Sequence, residues 1–171
     1  MSDVFDYSSR RGAIVPLLTA VHALLKENAE KDKIRAMEPP EGIVAFRQKM
    51  GPLLLDINRR FLFAMDIKGS QRGIVGFLFY RFGEGNRVYI EDMELAWKHR
   101  TDGNTVLAML NKLEFDPRAK AGDFFGSERL KKPSDKEILA GAGFHEHFTD
   151  GWEPLGTVKD ATGALRLRYG R

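Results

Sequence analysis

Apolar residues recur at three- and four-residue steps from Ile14 through Leu17, Leu18, Val21, Leu24 and Leu25, which predicts an amphipathic helix running into the charged stretch 26–35. Pro39 and Pro40 then break the chain. A second series, Ile43, Phe46, Met50, Leu53 or Leu54 and Ile57, keeps that period, and Gly51-Pro52 inside it should kink or divide the helix. Both helices read as core walls. From Arg60 the period falls to two: Phe61, Phe63, Met65 and Ile67 alternate as in a strand that ends at Gly69-Ser70. Beyond Gln71-Arg72-Gly73, residues 74–82 are apolar on both faces, as in a central strand covered on each side. The two strands should pair antiparallel, and Gly83-Glu84-Gly85-Asn86 supplies a turn into a third strand over 87–97, completing a meander.

A helix over 103–115 follows, with Val106, Met109, Leu110 and Leu113 inward. The remainder alternates between a short strand at 123–126, a helix announced after Pro133 by the capping box Ser134 and Glu137, and a strand near 144–148. In a terminal arm over 164–169, Leu165, Leu167 and Tyr169 alternate with Arg166 and Arg168, like an edge strand guarded by charge. The order of elements predicts one α/β domain over 1–171, a mixed and mostly antiparallel central sheet flanked by helices.

Composition narrows the function classes. The 171 residues include 43% apolar and 11% aromatic side chains, enough to build a core and to exclude disorder. The 27 Lys and Arg against 24 Asp and Glu leave a net charge of +3, scattered along the chain and unlike the basic blocks that bind nucleic acid. The absence of Cys excludes disulfides, thiolate metal sites and a cysteine nucleophile. The longest uncharged apolar stretch, 13–25, contains Pro16 and His22 and is shorter than the roughly 18 residues that suggest a membrane span. The first eleven residues do not read as a secretory signal, so a cytoplasmic protein is expected. His145 and His147 share one strand face, but without further ligands at fixed spacing they read as a solvated pair, and no metal is expected.

Chemistry concentrates in residues 89–110. A strand runs into Lys98-His99-Arg100, turns at Thr101-Asp102-Gly103-Asn104 and enters the 103–115 helix. Unpartnered N–H groups at a helix start can hold a phosphate, with Gly103 permitting close approach and Lys98 and Arg100 adding charge. An ordinary strand-to-helix turn capped by Thr101 or Asp102 satisfies the same pattern. On the same strand, Glu91, Asp92 and Glu94 are three acids among apolar neighbours. Strand alternation points Glu91 to one side with Met93 and Leu95, and Asp92 and Glu94 to the other. Acids so placed can take a proton from an ammonium, or can pair with arginines at a sheet edge.

Leu95, Arg100, Gly103 and Thr105 are spaced like the motif of the GNAT superfamily of acyl-CoA-dependent N-acyltransferases, and Ala142-Gly143-Phe144 resembles the Gly-Phe after that family's last helix. The segment Ile90-Glu91-Asp92-Met93-Glu94-Leu95 is especially similar to members that acetylate polyamines and diamines. The resemblance implies a GNAT-like fold and acetyl-CoA held along Leu95, Ala96, Trp97, Lys98, Arg100, Thr101, Asp102, Gly103, Asn104 and Thr105. It further implies catalysis by Glu91, Asp92 or Glu94 on a small amine or a protein amine. Leu139 stands where many members carry a tyrosine that reprotonates the coenzyme A thiolate, so a second reading is a catalytically impaired GNAT-fold domain serving as an acyl-CoA sensor or interaction module. A C-terminal edge strand would suit a homodimer.

Overall fold

The computed structural model describes residues 2–6, 14–32, 39–66, 73–86, 88–114, 116–118, 133–147, 151–154 and 167–168. The elements are β1 Ser2–Asp6, α1 Ile14–Lys31, α2 Ile43–Leu55, β2 Arg59–Asp66, β3 Ile74–Phe82, β4 Val88–Leu95, α3 Gly103–Glu114, α4 Pro133–Gly141, β5 Phe144–His147, β6 Gly151–Pro154 and β7 Leu167–Arg168. Strands β1 to β4 form one antiparallel sheet in chain order. Strands β5 to β7 form a second, also antiparallel and in chain order. Among the described residues β4 ends the first sheet, so its outer edge is free of a strand partner.

The first sheet is buried on both faces. One face carries Leu62, Leu78, Tyr80, Ile90, Met93 and Leu95 against Val106, Met109, Leu110 and Leu113 of α3 and Ile138 and Leu139 of α4. The other carries Phe61, Phe63, Phe77 and Phe79 against Leu18, Val21 and Leu24 of α1 and Phe46, Met50 and Leu54 of α2. This two-sided burial explains why β3 reads as a continuous apolar run, and why Phe61, Leu62, Phe63 and Ala64 of β2 are all buried where alternation was expected.

Several boundaries differ from the sequence expectation. Strand β1 pairs with β2, Val4 opposite Ala64, although two apolar residues between acids give no strand signal. Gly51-Pro52 does not divide α2, because Phe46, Met50 and Leu54 bury one stripe on both sides of Pro52 and hold the helix together. Ser134 is not an N-cap: α4 starts at Pro133, whose fixed φ suits a first helical position, and Ser134 is buried inside the first turn. Strand β6 was not expected, and β7 is the described part of the 164–169 arm. The 123–126 strand lies outside the described residues. At the end of α4, Gly143 takes φ 86° and donates its N–H to Ala140 O, a left-handed helix stop that explains the glycine before Phe144.

Candidate active site

The site begins with an irregularity in β4. Phe79 pairs with Asp92 and Tyr80 with Ile90, so Glu91 is an extra residue with no opposite number, a β-bulge. The insertion shifts the side-chain phase. Val88 and Ile90 before it, and Met93 and Leu95 after it, all point into the core beneath α3 and α4. Glu91 therefore does not share a face with Met93 and Leu95 as simple alternation requires. Both Glu91 and Asp92 line a cavity of about 530 Å³ between the sheet and helices α1 and α2. Its floor includes Phe61, Phe77 and Phe79, and its walls include Val21, Leu25, Phe46, Met50 and the Pro39-Pro40 corner.

The two acids are held differently. Arg59 Nη1 donates to Glu91 Oε2, and Arg81 Nε lies 3.4 Å from Oε1, so two guanidiniums compensate one carboxylate that is only 15% exposed. Arg59 is itself braced by Asp56 at 3.1 Å. The Asn58 backbone N–H, helped by Arg59, holds the Asp56 carboxyl below its ordinary value of 3.8 against the opposing effect of burial. Asp92 Oδ1 accepts the Met93 N–H at 2.9 Å. Glu94 is not a lining residue of the cavity: it is 1% exposed, with Oε1 3.3 Å from Arg100 Nη2.

The corner where β4 meets α3 is closed by the chain's own polar groups. Ala96 N–H donates to Val75 O on the β3 side. Its neighbours face the strandless edge, where the Asn28 side chain meets both: Nδ2 donates to Leu95 O at 2.8 Å and Oδ1 accepts the Trp97 N–H at 2.8 Å. Asn28 is 1% exposed. One turn later, just past the end of α1, Asp32 accepts from Arg100 Nη1 at 2.7 Å, and Glu137 of α4 lies 3.6 Å from the same nitrogen. The Arg100 guanidinium is thus buried among three carboxylates and stacked 5.0 Å from the Trp97 ring.

At the start of α3, Asp102 caps the helix, accepting the Thr105 N–H at 3.3 Å and the Thr105 hydroxyl at 2.7 Å. Backbone N–H groups of Arg100, Asp102 and Gly103 donate to Trp97 O, His99 O and Thr101 O. A Cβ on Gly103 would stand 2.4 Å from Gly141 O, so this glycine serves the contact between α3 and α4, and any side chain there disturbs the fold. Of the residues assigned to the cosubstrate by resemblance, Trp97, Lys98, Thr101 and Asn104 are exposed, Asp102 and Gly103 are half-buried, and Leu95, Ala96, Arg100 and Thr105 are buried.

Other groups fall away from the cavity. Leu139 is fully buried in the core under α4. Tyr80 lies on that same face, donating its hydroxyl to Asp116 Oδ2 at 2.7 Å; burial first, then this bond, drives its pKa far up, so it stays protonated. Tyr89 packs beneath Arg81 at 4.5 Å. His22 lies 2.7 Å from Glu41 O through Nε2 and packs on Phe46. The residues that sequence reasoning missed are Arg59, Arg81, Asn28 and Asp32. Only Arg59 carried a signal, as a cation opening a strand of the same meander as the acidic one.

No family model and no curated protein matches the sequence. Among solved structures, the chain resembles an aminoglycoside antibiotic 6'-N-acetyltransferase from Acinetobacter baumannii, with TM-score 0.56 and 15% identity over 85% of this chain and 92% of that one. It also resembles a possible acetyltransferase from Clostridium difficile 630, with TM-score 0.54 and 12% identity over 91% and 97%. The fold is GNAT-like. In this GNAT-like frame the bulged strand carries the acids, and its free outer edge runs toward α3. No helix among the described residues is long and apolar enough to cross a membrane.

Proposed function

We propose that this GNAT-like chain is an acetyl-CoA-dependent N-acetyltransferase whose acceptor amine sits in the α1–α2 cavity, with Asp92 taking the proton. The observation that carries the reading is the β4 bulge, which turns two neighbouring carboxylates into one cavity on an acetyltransferase-like fold. Most amines are protonated at neutral pH and must lose a proton before they can attack a carbonyl carbon. Glu91 is poorly suited to accept it, because protonation would waste two arginine contacts. Its role is to fix Arg59 and the cavity floor. Glu94 is committed to Arg100. Asp92, which lines the cavity and accepts the Met93 N–H through Oδ1, is assigned as the base.

Acetyl-CoA would supply the thioester carbonyl. The residues suited to hold it are the exposed Trp97, Lys98, Thr101 and Asn104, with the Lys98 ammonium toward its phosphates. Arg100 contributes by holding the turn in shape, since its guanidinium is already buried among acids. A cytoplasmic location belongs to the same reading. The test is titration calorimetry with acetyl-CoA followed by release of free thiol in the presence of amines. Binding and thiol release support the proposal; absence of both overturns it.

A second reading, a GNAT-like domain that has lost turnover, is favoured by one observation: the strand edge at Leu95 and Trp97 and the α3 start are satisfied internally by Asn28 and Asp102. Acetyl-CoA binding without thiol release on any amine would select it.

A further inference from the structure

We infer that helix α1 couples the corner between β4 and α3 to the cavity: the Asn28 side chain fills the strand-edge position that an amide of acetyl-CoA's arm would take, and its release moves the α1 residues that line the cavity. The inference rests on acetyl-CoA being the donor and the cavity being the acceptor site. On the outer edge of β4, the Leu95 carbonyl and the Trp97 N–H form the pair that one residue of a parallel neighbouring strand would bond. Among the described residues no strand takes that place. The Asn28 carboxamide does, with Nδ2 donating to Leu95 O and Oδ1 accepting from the Trp97 N–H, each at 2.8 Å. A side-chain amide thus stands where a backbone amide would. The arm of acetyl-CoA carries secondary amides, each with one N–H and one C=O, so it matches the same two groups.

The same side of the helix serves the cavity. Val21 and Leu25 line it, and Asn28 and Asp32 follow them at steps of three and four residues, so all four lie along one face. Asp32, just past α1, continues its turn by donating its N–H to Asn28 O at 2.9 Å, and it holds Arg100 at 2.7 Å. Val21, Asn28 and Asp32 are none of them more than 2% exposed. Packing that close leaves the Asn28 side chain no second place against a stationary helix, so a ligand that takes over its bonds must shift the helix around it. Leu25, one turn before Asn28, moves with it. Asn28 released to water and an edge bonded by the donor are both satisfied, which keeps the exchange near neutral.

The experiment is NMR on the full chain, following the assigned Asn28 side-chain amide and the Val21 and Leu25 methyl groups during titration with coenzyme A. Saturation should raise hydrogen exchange at the Asn28 amide by about tenfold or more, and the two methyl signals should shift with the same midpoint. Coenzyme A that binds while the Asn28 amide stays protected, or that frees it without moving either methyl, overturns the inference and leaves the donor reading standing. If the native chain does not bind coenzyme A, Asn28→Ala decides. Binding by that variant alone shows Asn28 holding the edge closed and supports the inference. Binding by neither sinks it together with the donor reading.

Discussion

The cavity under α1 and α2 is served by the middle of β4 and the corner between β4 and α3 by its end, yet they are finished in opposite ways. The cavity keeps open volume and sets charged groups around it. At the corner, the polar groups that an extended ligand arm or a phosphate could use already have partners in Asn28, Asp32 and Asp102. The difference shows that a shared fold does not distribute function evenly over its parts. On the proposed reading the cavity is prepared for an acceptor amine, while acetyl-CoA bound at the corner would have to exchange internal hydrogen bonds for external ones. That exchange is close to neutral in energy only if the ligand replaces every bond it displaces.

The comparison can be broken most forcefully at Arg100. Arg100→Met should leave Asp32 and Glu94 buried without their cation and cost about 3–5 kcal/mol in chemical denaturation. Unchanged stability with lost acetyl-CoA affinity would make Arg100 a phosphate ligand and the corner a built site. In the cavity, Asp92→Asn should lower the acetylation rate by about 10² to 10⁴ with little effect on acetyl-CoA affinity, and Glu91→Gln should cost much less. Equal losses in the two variants would mean that the arginine pairing of Glu91 does not decide which acid is the base.

Asn28→Ala sharpens the contrast. It should destabilise the chain by about 1–3 kcal/mol by stranding Leu95 O and Trp97 N–H, while acetyl-CoA binds at least as tightly to the freed edge. A tenfold fall in affinity in calorimetry would show that Asn28 helps to hold the donor. The smallest effect belongs to Asp56, which braces Arg59 from outside the cavity. Its folded pKa lies below 3.8, so its contribution is present above that value and is lost as pH falls through the lower folded value. The stability gap between the native chain and Asp56→Ala should begin to shrink as pH falls toward 3.8 and close only below it, and added salt should shrink it, since the pair is partly exposed. A gap that persists at pH 2 would locate the effect in the turn's backbone instead.

Periodicity in the sequence is a local signal, and what depends on local periodicity was legible. Strand Ile74–Phe82 and helix Gly103–Glu114 follow from their apolar spacing, and the GNAT-like class follows from the order of elements and the 95–105 motif. The acids of β4 could be picked out as chemistry because three carboxylates among buried neighbours are costly without a purpose. Their directions could not, because one bulged residue inverts every later side chain and leaves no mark in composition. Nor could the motif arginine's fate be read. Arg100 meets Asp32 across 68 positions, and Asn28 reaches Leu95 across 67, so contacts at that separation exist only once α1 has packed on the sheet. Spacing along the chain brought the acids and the motif into one strand and its following turn, but tertiary packing decided that Glu91 and Asp92 open onto space while Glu94 and the motif's arginine are enclosed.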